Sequence, residues 1–338
     1  MSAVVGLPEI EAARARIAGM IRPTPVDPSP GLSERAGVPV WLKLEHLQHT
    51  GSFKLRGASN AVARLDEAAR ARGVAAASTG NHGRALAHAA RRAGARAVIC
   101  MSALVPRNKV EAIEALGAEA RIVGASQDDA QVEVDRLVAE EGMVSIPPFD
   151  HRDVIAGQGT LGLEMIEAVP ELDTLVVQLS GGGLIAGIAA AAKARRPAVR
   201  VVGVSMARGA AMQASLAAGR PVPVEELPTL ADSLGGGIGH DNRHTFAMVR
   251  ELVDEVVLLS EPEIAAGVRH CYWQERQVVE GAGGAGVAAM LAGRVAARGP
   301  VMLLLSGGNI DMKLHHRIVS GEDVDVAVEE APCPESGS

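Results

Sequence analysis

The chain alternates short apolar runs with helical patterns, and glycine sits at many of the joints. Residues 98–101 (Val-Ile-Cys-Met) read as a buried strand. Val110, Ile113 and Leu116 then mark a helix opened by Pro106 and closed by Gly117, the usual placement of those two residues. Residues 120–123, 175–179, 199–204 and 301–305 read as further strands, and 184–194 as a helix. Fully apolar strands alternating with helices predict α/β architecture, with a parallel sheet covered on both faces. At ~150 residues per domain, 338 residues correspond to about two domains.

Composition excludes several function classes. Lys and Arg total 33 and Asp and Glu 40, so the formal net charge of −7 opposes a role on phosphate backbones. Arg91, Arg92 and Arg96, and Arg195 with Arg196, read as solvated helix faces or ends. Three Phe, two Trp and one Tyr are too few for a base-stacking surface. Cys100, Cys271 and Cys333 form no CxxC, which argues against a disulfide framework and a thiolate metal centre. Glu9, Glu11, Arg14 and Arg16 stand where a secretory signal would need an apolar run. The apolar stretch 181–192 is shorter than the ~20 residues that span a bilayer. The expectation is a cytoplasmic protein that engages neither membrane nor nucleic acid.

Four glycine-rich stations carry the chemistry. The first is His49-Thr50-Gly51-Ser52-Phe53-Lys54-Leu55-Arg56-Gly57-Ala58. Lys54 lies between two apolar residues at the mouth of a helix, where desolvation depresses an amine pKa and leaves it neutral enough for a Schiff base. The second is Ser78-Thr79-Gly80-Asn81-His82-Gly83, a helix start whose N–H groups attract an anion. The third, Ser180-Gly181-Gly182-Gly183-Leu184, can cradle a phosphate. It lacks both the Lys-Ser/Thr ending of a P-loop and the spacing of a dinucleotide fingerprint. The fourth, Ser306-Gly307-Gly308-Asn309, ends an apolar strand with a placed hydroxyl. One lysine, one phosphate cradle, one anion site and one hydroxyl suit pyridoxal 5′-phosphate (PLP), an electron sink for carbanions.

These stations, in this order, resemble the fold-type II (tryptophan synthase β-like) PLP enzymes, and within them the serine/threonine dehydratase and serine racemase group. The resemblance runs from Ile21-Arg22-Pro23-Thr24-Pro25 to Asn309 and includes Gly157-Gln158-Gly159-Thr160 and Gly283-Gly284-Ala285-Gly286. It implies two open, twisted, mostly parallel sheets covered by helices. It implies Lys54 as the Schiff-base lysine that also moves the Cα proton, with Phe53 near the pyridine ring and Asn81 on the cofactor 3′-oxygen. Ser180, Gly181, Gly182, Gly183 and Leu184 would hold the phosphate, and Ser306 the ring nitrogen. Ser78, Thr79, Asn81 and His82 would surround the substrate carboxylate. The implied reaction is dehydration of a β-hydroxy amino acid to a 2-keto acid and ammonia.

Departures from the group are informative. Thr79 stands where its racemases place serine as the base on the second face; it keeps the hydroxyl, and so is a catalytic candidate beside Lys54, but adds a methyl, which puts racemisation in doubt. Around Val201-Val202-Gly203-Val204-Ser205 and Ala210-Ala211 the carboxylates of the group's divalent-cation site are missing, so no metal is expected. The chain ends soon after Asn309, which leaves no room for an isoleucine-sensing domain. The 78–86 and 233–239 segments resemble the ectoine and hydroxyectoine utilisation branch. That branch implies a 3-hydroxy-2,4-diamino acid as substrate, with Glu280 beside the cofactor as the partner for the extra ammonium; a purely structural carboxylate is the other reading. A racemase or β-replacing synthase on the same fold, and a non-catalytic PLP-binding protein, remain as alternatives. The expected division is a large PLP-binding domain from 1–47 and 150–325, a small mobile domain over 48–149 and a disordered tail over 326–338. Pro147-Pro148 marks the chain's return to the large domain. A homodimer or homotetramer is expected from the group. His315 and His316 are read as surface residues.

Overall fold

The computed structural model describes residues 5–329 except Thr79, Leu104 and Pro106. Ten strands are β1 (Val26–Pro28), β2 (Val40–Leu44), β3 (Val74–Ala77), β4 (Ala97–Met101), β5 (Glu119–Ile122), β6 (Val144–Ser145), β7 (Thr174–Gln178), β8 (Arg200–Met206), β9 (Glu255–Leu259) and β10 (Val301–Leu305). They form two sheets, a six-stranded one in the order β1-β2-β10-β7-β8-β9 and a four-stranded one in the order β5-β4-β3-β6. Every pairing is parallel except β1 with β2.

Side-chain alternation divides each sheet between two cores. Along β10, Met302 and Leu304 face one core, while Val301, Leu303 and Leu305 face the other. Leu175 and Val177 of β7 join the first and Val176 the second. In the smaller sheet Val74, Ala76, Ile99 and Met101 point one way, and Ala75, Ala77, Val98 and Cys100 the other. Strands buried on both faces gain from apolar residues at every position, which is why they read as unbroken runs in the sequence. Among the described residues no helix is long and apolar enough to cross a membrane.

The four strands of the smaller sheet lie between residues 74 and 145, and the chain then crosses Pro147-Pro148 into the helix Arg152–Ala168. Val326–Glu329, at the start of the expected tail, form a short helix. His315 corrects the sequence reading: it is 2% exposed, with its ring edge-on to Tyr272 at 5.3 Å, whereas His316 faces solvent. Successive helical residues lie ~100° apart, so one of an adjacent pair meets the core when the helix packs. Cys100 and Cys271 are buried and unbridged.

Candidate active site

The ends of β10 and the Lys54 helix build the floor of the site. Ser52 bridges Gly307, the Phe53 N–H donates to the Ser306 carbonyl at 3.0 Å, and the Gly308 N–H donates to the Gly51 carbonyl at 2.9 Å. The strand exit therefore grips the turn just before the helix Lys54–Ala63. Ser306 is buried at the end of β10, and Phe53 packs against the core beneath.

Two residues further on, Arg56 anchors that helix. Its guanidinium is fully buried and forms a two-pronged pair with Glu45 at 2.8 and 2.9 Å. It also meets Glu164 at 2.5 and 2.9 Å and Thr160 Oγ1 at 3.1 Å. Lys43 closes the cluster on Glu164 at 2.6 Å and on the Thr24 carbonyl at 2.7 Å. Charges this deep are stable only when fully paired. Arg56 entered the sequence reading as part of a motif; its partners, drawn from distant segments, left no local signal.

Lys54 is half-buried and its Nζ donates to the Pro148 carbonyl at 2.8 Å. Burial pulls its pKa down to about 8, against the attraction of Glu280. A substantial share of the amine is then neutral near pH 8, as carbonyl chemistry requires. The next residue, Phe149, connects Lys54 to the glycine loop. A Cβ on Gly181 would stand 2.4 Å from the Phe149 ring, and one on Gly183 2.7 Å from its carbonyl oxygen. Gly182 has φ +89°, a conformation that favours glycine. Side chains are thus excluded from the mouth of the helix Gly183–Arg195, where Gly182 makes no side-chain cap and the first N–H groups stay open to an anion. The Asp150 carboxylate holds this corner, accepting from the N–H groups of Arg243, His244 and Thr245 at 2.6–2.9 Å.

The helix Asn81–Arg92 starts at the opposite wall, after Gly80, also without a side-chain cap. Ser78 Oγ accepts the Gly83 N–H at 3.1 Å and keeps its own hydrogen to donate. Buried His82 gives Nε2–H to the Ile146 carbonyl at 2.7 Å, which leaves Nδ1 an acceptor without a partner among the described residues. Burial, reinforced by the positive charge of Lys54, lowers its pKa to about 3, so the ring is neutral. Asn81 donates to Glu280 Oε1 at 2.7 Å. Glu280 is 5% exposed, and burial with Asp232 nearby raises its pKa to about 7. Of the sequence-derived site residues, Thr79 lies outside the described residues; the others gather around Lys54, the glycine loop and the β10 exit. Asn309, read only as the end of the motif, also belongs here, through a hydrogen bond to Asn81 at 2.6 Å.

The donor set and the side-chain-free cradle fit PLP. The family model described as "Pyridoxal-phosphate dependent enzyme" matches residues 17–307. The chain belongs to that family. It is 61% identical over 318 residues to a Sinorhizobium fredii protein whose provisional name is threonine dehydratase, covering 94% of this chain and 96% of that one. It is 40% identical to the L-threonine ammonia-lyase of Thermotoga maritima, over 94% of this chain and 79% of that protein. Among solved structures, maize serine racemase is similar with TM-score 0.88 and 34% identity, covering 93% of this chain and 96% of that one. The processed threonine deaminase isoform 2 of Solanum lycopersicum is similar with TM-score 0.87 and 31% identity, over 93% and 86%. The enzyme is thus a fold-type II PLP enzyme related to threonine dehydratases. Arg208 pairs with Asp325 at 2.9 and 3.1 Å and with the Pro228 carbonyl at 3.0 Å.

Proposed function

We propose that this family member removes water from a β-hydroxy amino acid of the serine/threonine type and releases a 2-keto acid and ammonia. The observation that carries the reading is the placement of Lys54, an amine with a lowered pKa between a phosphate-sized glycine cradle and an uncapped helix start. PLP, when bound, supplies the aldehyde for Lys54 and the sink for the electron pair left at Cα. The protein's residues do the rest. Gly181, Gly182, Gly183 and Leu184 offer N–H groups to the phosphate, with Ser180 leading in. The Ser78 hydroxyl and the N-terminus of the Asn81 helix receive the substrate carboxylate. Lys54, displaced from the aldehyde, takes the Cα proton as general base. Neutral His82 adds no competing positive charge beside it. The Ser306 hydroxyl would hold the ring nitrogen without the carboxylate that would keep it protonated; the sink would then be weaker, and loss of the β-hydroxyl, leaving as water once protonated, would be favoured.

The finer reading is 3-hydroxy-2,4-diaminobutyrate, whose second ammonium would face Glu280 and its neighbour Asp232. The same reading divides the chain at 48–149, with that unit closing over substrate; the Lys109–Asp232 pair at 3.6 Å is the rim contact such closure would make. A homodimer or homotetramer completes it, checked by light scattering on the purified protein. For the activity, PLP-loaded protein is incubated with L-threonine, L-serine, 3-hydroxyaspartate and 3-hydroxy-2,4-diaminobutyrate. Keto acid from at least one is expected, and release from none refutes dehydration. Inversion of recovered L-serine without keto acid would favour the racemase reading.

A further inference from the structure

Three side chains beside Lys54 form a relay whose polarity is set at both ends. At one end the Thr50 carbonyl can only accept, so the Asn309 side-chain atom 2.9 Å away is its Nδ2. The same nitrogen lies 2.6 Å from an Asn81 side-chain atom, which must therefore be Oδ1. At the other end Asn81 Nδ2 donates to Glu280 Oε1 at 2.7 Å. The Asn309 main-chain N–H and the Ser233 side chain also favour the charged form of Glu280. All of its partners donate, so the relay suits an ionised carboxylate. Both hydrogens of Asn309 Nδ2 are spent, whereas Asn81 Nδ2 keeps one that meets no acceptor among the described residues. The packing leaves no slack: a Cβ on Gly51 would come 2.5 Å from Asn309 Oδ1, and one on Gly307 2.5 Å from Glu280 Oε1.

We propose that Asn309 is a positioning residue that fixes which way the Asn81 amide faces, so that the one uncommitted Asn81 N–H is presented to the cofactor. The inference rests on the reading that the site holds PLP, with Asn81 on the oxygen substituent of the ring. Flipping Asn81 would set its oxygen against the Glu280 carboxylate and its nitrogen against the Asn309 nitrogen. Glu280 opposes the first and Asn309 the second, and Thr50 forbids Asn309 from turning. A donor held toward a phenolate-type oxygen stabilises its ionised form. Removing the constraint should therefore weaken binding and shift the pH dependence of the bound cofactor's visible absorbance.

The test uses the full chain, freed of cofactor and titrated with PLP, in the parent and in Asn309→Asp and Asn309→Ala. The aspartate variant would set acceptors against the Thr50 carbonyl and Asn81 Oδ1, forcing the amide over; the alanine variant removes the constraint without adding charge. The expected result is PLP binding at least tenfold weaker in N309D and weakened severalfold in N309A, with the visible band's pH midpoint moved in both. Thermal melts of the cofactor-free proteins report folding separately. Folded variants that keep the parental affinity within twofold and the parental midpoint overturn the proposal. Failure of both variants to fold assigns Asn309 to structure alone and overturns it as well. Absence of PLP binding by the parent would instead refute the functional reading, so the two failures are distinguishable.

Discussion

Replacing Arg56 with methionine tests how the Lys54 helix is held. Methionine keeps the unbranched apolar stem and removes the guanidinium. Glu45, whose side chain is fully buried, then loses both prongs of its pair and among the described residues keeps the Thr24 hydroxyl, which donates to Oε1 at 2.5 Å. Glu164 fares better, since it is 26% exposed and still meets Lys43 at 2.6 Å. The dominant penalty is thus one uncompensated carboxylate, and breaking a buried pair in this way costs about 3–5 kcal/mol. At about 2.1 cal/mol/K per residue, a chain of 338 residues unfolds with an entropy of roughly 0.7 kcal/mol/K, so the melting midpoint should fall by roughly 4–7 °C. The assay is thermal denaturation of the PLP-loaded protein followed by circular dichroism. If the unpaired charge is the cause, adding Glu45→Gln in the Arg56→Met background should restore at least about 2 °C. A single variant melting within about 1 °C of the parent, or a double variant no more stable than the single, would refute the reasoning.

Four further outcomes follow from the site. Because Lys54 is lowered to about 8, the rate at which cofactor-free protein takes up PLP should rise about tenfold per pH unit below 8 and level off above it; an increase continuing to pH 10 would show an ordinary lysine. The same shift has a stability sign: between pH 8 and 10.5 the unfolded lysine binds more protons than the folded one, so cofactor-free protein gains stability with rising pH across that window, and Lys54→Met abolishes the gain. Gly183→Ala sets a Cβ 2.7 Å from the Phe149 carbonyl, and equilibrium dialysis should show PLP held at least tenfold more weakly. Glu280, raised to about 7, must be ionised to satisfy the Asn81 relay, so kcat/KM should fall as pH drops through 7; in Glu280→Gln that acidic limb should vanish even as the overall rate declines.

The legible parts of this protein are those in which the main chain dictates the residue type. Strands β7 and β10 lie in the middle of a sheet, so every position of β10 and the three central positions of β7 select an apolar residue, and the run is visible in one dimension. The 181–183 cradle is equally visible, because the backbone approaches Phe149 too closely for a Cβ and one residue has positive φ. By contrast β3 is Val-Ala-Ala-Ala, with no alternation and little β-branching, and only its neighbours β4 and β6 make it a strand. Glu45 and Glu164 gave no warning of their burial, since a charged residue reads as exposed until its partner is known.

The same contrast bears on where specificity is set. Under the proposed function the glycine cradle and Lys54 serve the cofactor, so any substrate of the family would impose them. The groups that could tell one substrate from another, Glu280, Asp232 and Ser233, meet only because the 3₁₀ turn Asp232–Leu234 lies over the start of the helix Gly281–Leu291. That turn is placed by Glu261, which accepts from the Thr229 hydroxyl at 2.7 Å and the Leu230 N–H at 2.6 Å, and by Arg208 on the Pro228 carbonyl. Substrate preference should therefore respond to changes in the 228–235 loop with cofactor affinity held constant. Asp232→Asn makes the distinction measurable: under the proposed diamino-acid reading, the ratio of kcat/KM for the diamino acid over threonine should fall, because a carboxylate that would face the second ammonium is lost. PLP affinity should stay within twofold of the parent, and a parallel loss of both would show that the loop serves the cofactor instead.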